Sequence, residues 1–494
     1  MRIRVTPTAS GKHAVQVVSK RRGVLTVHKH LGSFATPQDK LRLYRSAREY
    51  IQSVSRQTSL IDVLDSLRPS EITITESKPL FLYQLLSGVY DKLGLSQYSD
   101  PLIKDLVIAR IWAPVSKREI QEILIDSFNR DYALITIYRH LKKGIRLGLK
   151  DICQKALVNF AKEKLEDSLR LVFYDVTTLY FESTTRDDLR DFGFSKDHHS
   201  TTTQVVVGLV VNHQGFPLYF DIFTGRTFEG HTFLPIVQGI RKLLGNSELI
   251  VVADAAMISR ANIQSLVENH IGFVVGARIA NLPTQLINSV TNQLNKQDGA
   301  ITTVDYQDQR LICQYSTKRA AKDKSDRLKQ MLKAEAAISI PASLTNRYRF
   351  LKTNGSGVSL NSELVAKAER LEGIKGYLTN TSLPEITIID RYHDLWRIEN
   401  AFRITKSDLE ARPIFHRLDE TIKAHLVIVF AGLAVCRYIE IQTGMSIKKV
   451  LKIAGKVLTH EVNNIKTGEI SYLETAIKDS ELREKVELLR SLGY

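Results

Sequence analysis

Three acidic side chains stand where acids are costly or well placed. Asp175 lies in the middle of LRLVFYDVTTLYF, a run rich in β-branched and aromatic residues that reads as a strand. Asp254 follows the five apolar residues LIVVA in ELIVVADAA, at the C-terminal end of a second buried strand. A carboxylate in an apolar strand costs free energy unless it is paired or bound to a cation. In α/β sheets, strand ends are where ligand sites gather. Two such positions on neighbouring strands invite a hard divalent ion held by oxygen, and Mg²⁺ is the usual choice. Glu399, in RYHDLWRIENAF, brings a third carboxylate from a helix face that also carries Trp396 and Phe402. Two metals about 4 Å apart activate a water or a 3′-hydroxyl and stabilise the leaving oxygen of an in-line phosphoryl displacement. Taken singly, each acid has an ordinary alternative, as a turn or helix cap or as a surface residue. Their order along the chain is what argues for a shared site.

That order depends on the elements that carry them. After the first strand come TQVVVGLVVN and FPLYFDIFTG, separated by His213-Gln214-Gly215, which reads as a hairpin. A helix is expected at 233–245, a buried strand at 248–256, a helix at 259–269 and a strand at 272–278. The pattern β-β-β-α-β-α-β implies a mixed sheet with helices packed on it. It then breaks over 280–385. ITTVDYQDQRLICQYS reads there as a hairpin, and the stretch after it is a basic helix carrying Lys318, Arg319, Lys322, Lys324, Arg327, Lys329 and Lys333. So long a break needs structure of its own and is expected to be an inserted subdomain. The core resumes with a helix at 391–409 and a long apolar helix from about 418 to 442.

The flanks read differently. Residues 1–35 alternate and are punctuated by Gly11 and Gly23, as in a small antiparallel meander, with a helix expected at 37–56. Residues 78–168 read as helical, with Ser116 and Glu119 forming a capping box after Pro114. Two short helices in this region have the outline of a helix-turn-helix, with Tyr138, Arg139, His140, Lys142 and Lys143 available to a DNA backbone. The divisions expected are 1–70 meander plus helix, 71–168 helical and DNA-binding, and 169–279 the first part of the catalytic core. They continue as 280–385 the insertion, 386–445 the second part of the core, and 446–494 a helical tail.

The chain has 494 residues and a net charge of +16, from 69 Lys and Arg against 53 Asp and Glu. A basic surplus of that size favours a polyanion such as nucleic acid through counterion release. Hydrophobic residues at 43% allow a sizeable core. Cys153, Cys313 and Cys436 form no C-x-x-C pair, which fits a reducing cytoplasm and argues against a zinc ribbon or disulfide framework. The start, MRIRVTPTAS, lacks the apolar core of a signal peptide. The longest apolar run, 424–436, is short for a membrane span and reads as a buried helix.

Several segments together resemble the DDE transposases of bacterial insertion sequences. They are YDVTTLYFES, GFSKDHHS with Gln204 after it, FPLYFDIFTGRTFEGHTFLPIV, ADAAMIS and RPIFHRLDETIKAHLVIVF. The resemblance is to the IS-four-like branch, whose signature is Tyr, two residues, Arg, three residues, Glu, six residues, Lys. Tyr392, Glu399 and Lys406 fall at that spacing, with Leu395 at the Arg position and Arg397 two residues on. The resemblance implies an RNase H-like α/β fold, with a mixed sheet, flanking helices and a β-rich insertion, behind an N-terminal meander and helical region. It implies that Asp175, Asp254 and Glu399 bind two Mg²⁺ or Mn²⁺ ions. Tyr392 and Lys406 would contact DNA phosphates, a role Arg397 would share if it replaces the expected Arg. The implied partners are transposon-end and target DNA and a second copy of the chain in a synaptic dimer, with no membrane, in the cytoplasm near the nucleoid. Some relatives hold a flipped base on an aromatic residue, but Trp396 is expected to pack in the core. Lys196, His198 and His199 are placed in a polar loop, either touching DNA or solvated. The rival readings are an RNase H-like nuclease or resolvase and an inactive DNA-binding derivative.

Overall fold

The structure is a computed structural model. It describes all residues except 9–11, 22–23, 35–38, 41, 45, 48–49, 52–71, 166–168, 195–200, 246–247, 256–258, 339–346, 355–356, 466 and 494. The chain divides into two compact units, Met1–Phe81 with Gly455–Lys478, and Leu82–Ala454 with Asp479–Tyr494.

The first unit contains the expected meander, β1 (Arg2–Pro7), β2 (His13–Arg21) and β3 (Val24–Phe34), paired antiparallel in that order. Val15 and Val17 on β2 point inward and pack with Leu43 and Ala47, and Ala14 and Val18 beside them are buried as well. The helix expected at 37–56 falls largely outside the described residues. β4 (Ile72–Lys78) belongs to a second small sheet of the same unit.

The second unit begins within the first of a run of helices: α1 (Leu80–Lys92), α2 (Pro101–Trp112), α3 (Glu119–Phe128), α4 (Leu134–Arg146) and α5 (Leu149–Lys164). The capping box forms as read from the sequence, with the Glu119 amide on Ser116 Oγ at 3.3 Å and the Ser116 amide on Glu119 Oε2 at 3.4 Å. The sheet then follows, with β5 (Leu171–Tyr180), β6 (Gln204–Asn212), β7 (Pro217–Thr224), α6 (Glu229–Leu244), β8 (Ile250–Ala253), α7 (Arg260–Glu268) and β9 (Gly272–Ala277). The strands lie in the order β7-β6-β5-β8-β9. β5 to β7 run antiparallel to one another, while β5, β8 and β9 are parallel. This is the RNase H-like arrangement. β6 is buried along its whole length, as expected of a strand covered by helices on both faces.

The segment 280–385 is β-rich, and three of its strands extend the main sheet. It contributes α8 (Thr284–Gln293), β10 (Ile301–Tyr306), β11 (Gln309–Tyr315), α9 (Thr317–Glu335), a hairpin of β12 (Leu351–Asn354) and β13 (Gly357–Leu360), α10 (Ser362–Arg370) and β14 (Ile374–Thr379). β14 pairs antiparallel with β9, and β11 and β10 follow it outward, so the sheet grows to eight strands, β10-β11-β14-β9-β8-β5-β6-β7. β9 would otherwise end the sheet with a row of unpaired backbone groups, and the inserted strands cover that edge.

The helix read at 391–409 is one path with two irregularities. It comprises α11 (Glu385–His393), a tight turn at Asp394–Leu395, α12 (Trp396–Arg403) and a π-helical turn at Ile404–Asp408. In the tight turn the Arg397 and Ile398 amides bond three residues back, at 3.0 and 3.1 Å. α13 (Asp419–Thr443) is the long apolar helix. By length and composition it would cross a membrane, but 89% of its most apolar window is buried in the fold. α14 (Ile447–Ala454) follows.

The tail at 446–494 is not all helical. β15 (Thr459–Asn464) and β16 (Ile470–Glu474) form a hairpin, and β15 pairs with β4 in the first unit before α15 (Ser480–Leu492) closes the chain. The pairing spans nearly four hundred residues, so no local periodicity announces it.

Candidate active site

Side-chain direction on β5 follows from strand alternation. The hydroxyls of Tyr174 and Thr232 on α6 are 2.5 Å apart, and the Tyr174 ring meets Phe233 edge to face. Asp175, the next residue, therefore points to the opposite face of the sheet. The pairing of β5 with β8 is parallel and matches Tyr174 with Ala253. Continuing it by one residue sets Asp175 beside Asp254, on the same face and one strand spacing apart, about 4.8 Å. β8 and β9 match Ala253 with Val275, so Gly276 is next in the row, and β14 adds Tyr377 opposite Gly276.

α11 lies over this row. The Tyr392 hydroxyl donates to Asp254 Oδ1 at 2.8 Å. Its ring meets Tyr377 edge to face with centroids 5.1 Å apart, and Lys375 Nζ stands 4.5 Å from its centroid. Burial first, then the hydrogen bond to Asp254, push the Tyr392 phenol above its ordinary value, so it stays protonated and able to donate. Burial likewise lifts Tyr377 to about 12. Lys375 is lowered by burial and by Arg319, with the charge of Asp254 acting the other way. Gly276 is required by this packing. A Cβ there would sit 2.5 Å from the Tyr392 hydroxyl oxygen.

Glu399 is on α12, which packs on β5 and β6, and its side chain is exposed. Among the described residues no group of three His, Cys, Asp or Glu side chains is gathered closely enough to hold a metal ion. The structure thus brings Asp175 and Asp254 together by register and places Glu399 on the helix packed against β5 and β6. Lys406 lies half-buried in the π-helical turn. Leu395, at the expected Arg position, sits in the tight turn between α11 and α12. Arg397 donates through Nε to Asp394 Oδ1 at 3.1 Å and lies 5.0 Å over the Trp396 ring. Trp396 itself is 53% exposed, contrary to the core packing expected of it. Its neighbour Ile398 takes the buried side of the short helix and turns the indole outward. Lys196, His198 and His199 lie outside the described residues. The sequence reading missed Gly276, Lys375 and Tyr377. The alternation in IKGYLT is the signal for Lys375 and Tyr377, once that stretch is recognised as a strand of the main sheet, while Gly276 lies in GFVVGA on β9.

The family model described as the transposase DDE domain matches residues 167–434. The chain belongs to the DDE transposases. The match begins just before β5, ends within α13, and so takes in every residue of the row and the helices over it. No curated protein matches this transposase. Among solved structures it is similar to the piggyBac transposase, seen by cryo-EM in a synaptic complex with hairpin DNA. That likeness is at 10% identity and a TM-score of 0.41, over 83% of this chain and 85% of the other, too distant to bear on the site.

A divalent ion suits the donors present. Two carboxylates side by side on one sheet face are hard oxygen ligands, and one of them is oriented by a tyrosine hydroxyl. Cys153, Cys313 and Cys436 are free and buried, and they belong to the core rather than to this site.

Proposed function

We propose that this transposase cleaves DNA at the ends of an insertion sequence and joins the freed strand to a target, using Mg²⁺ or Mn²⁺ held by Asp175, Asp254 and Glu399. The observation that carries the reading is the register of β5 on β8, which makes neighbours of two acids 79 positions apart in the sequence. The ions, when bound, supply charge stabilisation to the attacking and leaving oxygens of a phosphoryl displacement. The chain's own residues do the rest. Asp175 and Asp254 present a fixed pair of carboxylates from rigid strands. Tyr392 fixes the rotamer of Asp254, so its part is positioning as well as any contact to a phosphate. Glu399 would supply the third carboxylate from α12, which packs on β5 and β6. Lys406 and Arg397 carry positive charge close to Glu399 along the same helical path, where a phosphate backbone would pass. Terminal inverted repeats as the bound sequence, and pairing of ends by two copies of the chain, belong to the same proposal.

The test is a cleavage and strand-transfer assay on end DNA in Mg²⁺. Asp175→Asn, Asp254→Asn and Glu399→Gln are each expected to lower the rate by at least about a thousandfold while leaving the fold intact, as loss of an electrostatic anchor of the transition state does. Wild-type rates in all three variants would sink the assignment. Cleavage with no joining of a 3′-hydroxyl would favour a nuclease or resolvase instead.

A further inference from the structure

A cavity lined largely by basic and aromatic groups opens among α2, the turn before α3, α4, α13 and the segment joining the π-helical turn to α13. Its volume is about 370 Å³. Four nitrogen-bearing side chains facing it are more than nine-tenths buried: Arg110 at 5% exposure, Lys117 at 4%, His416 at 9% and His425 at 4%. Lys117 Nζ and Arg110 Nε are donors with no hydrogen-bond partner among the described residues, whereas His425 donates through Nε2 to Ala411 O at 3.2 Å, which leaves its Nδ1 as an acceptor. Neither Lys117 nor Arg110 forms an ion pair among the described residues. Burial and the neighbouring Arg110 hold the Lys117 ammonium well below its ordinary range. Glu119 and Glu410 also line the cavity and both are exposed; Glu119 is occupied in the capping box, and the charge of Glu410 partly offsets that of Arg110, which leaves Lys117 as the cation without a counter-charge.

Buried donors left unsatisfied cost free energy, and buried cations without a counter-charge cost more. Such a cluster persists where a ligand supplies what it lacks. That ligand must be an anion with acceptor oxygens, since the unsatisfied donors are a guanidinium and an ammonium that converge from separate elements. We propose that this cavity binds a phosphate group carried on a nucleic-acid strand. Two features favour a strand over a free ion. A second cavity of about 320 Å³ shares Tyr138, Phe415 and His416 with the first and adds Lys142 and Arg417, so the basic lining continues along the surface. Phe415 is 64% exposed between the two, where a base can lie against it. The rim is also tied to the catalytic strand. The Ile414 amide donates to Tyr180 O at 3.0 Å, five residues along β5 from Asp175, roughly 16 Å. The assignment to a strand rests on the proposed action on DNA, whereas the phosphate site itself does not.

The experiment is titration of the full chain with inorganic phosphate, read by calorimetry and by ³¹P line broadening, against chloride at matched ionic strength. Phosphate is expected to bind the wild type, and Lys117→Met is expected to weaken it by at least about tenfold. Because Met fills the same space without a buried charge, that variant is also expected to melt no lower than the wild type in the absence of phosphate. Equal phosphate binding in both proteins, or none in the wild type, overturns the site. A short single-stranded oligonucleotide is expected to displace the bound phosphate in the wild type, a measurement that needs no variant. Phosphate binding that the oligonucleotide cannot displace overturns the strand assignment and leaves a site for free phosphate. Asp175→Asn is expected to bind phosphate as the wild type does. If the wild type binds phosphate yet performs no cleavage or joining, the transposition reading fails and the cavity assignment stands.

Discussion

At the scale of single residues, the tyrosine of the signature is most informative. Its spacing to Glu399 and Lys406 was legible in the sequence, but its hydrogen bond to Asp254 was not, because that contact joins positions 254 and 392 through the tertiary fold. Removing only the hydroxyl isolates this role. Tyr392→Phe is expected to weaken Mn²⁺ binding by about 10- to 100-fold, the usual cost of losing a partner that orients a metal ligand. Its melting temperature should barely move. Calorimetric titration of Mn²⁺ checks this, and an unchanged affinity would mean that Asp254 holds its rotamer unaided. Trp396 shows the opposite limit of sequence reading. An indole within an amphipathic stretch reads as core, and only the direction of α12 on β5 and β6 shows that it faces solvent.

At the scale of elements, strands with strong local signals were legible and their partners were not. The runs forming β5 to β9 are apolar, β-branched and bounded by turn residues, and the structure keeps them in the expected order. β14 has the same alternation, but after a hundred residues of mixed pattern nothing local says which edge it joins. The same holds for β15, whose partner β4 lies near the other end of the chain. The pairing of β14 with β9 brings Tyr377 and Lys375 to the Tyr392 ring, and a glycine on β9 keeps the space under its hydroxyl open. Gly276→Ala tests that packing. The added methyl must displace the tyrosine from Asp254, so strand-transfer activity is expected to fall at least about tenfold, at a stability cost of about 1–3 kcal/mol for overpacking. Activity equal to wild type in the same assay would show that α11 can move without consequence.

At the scale of the whole molecule, charge is the property that sequence alone conveys best. A surplus of 16 positive charges acts at long range through phosphate neutralisation. Affinity for non-specific duplex DNA is therefore expected to drop at least about tenfold between 50 and 200 mM salt, the response of a protein that displaces several condensed counterions. Fluorescence anisotropy at a series of salt concentrations measures it, and a flat response would mean that the basic residues are spent on internal ion pairs. Some are spent in that way. Arg327 bonds Glu369 at 3.2 Å and Glu372 at 2.6 Å, so the basic helix α9 is partly anchored to its own unit rather than wholly free to track a backbone. Composition counts charges without showing which are internally paired.

The row formed by Asp175, Asp254, Gly276 and Tyr377, closed by Tyr392, also sets a schedule for synthesis. Its members enter the chain one after another from position 175 to position 392. At the pace of translation, the tyrosine is added roughly 10–40 s after the first aspartate. During that interval the two acids can be laid side by side while the hydroxyl that steadies the second has not yet been made. A nascent chain that has not yet reached position 392 therefore cannot present the finished row, and cutting competence arrives only after most of the protein has been made.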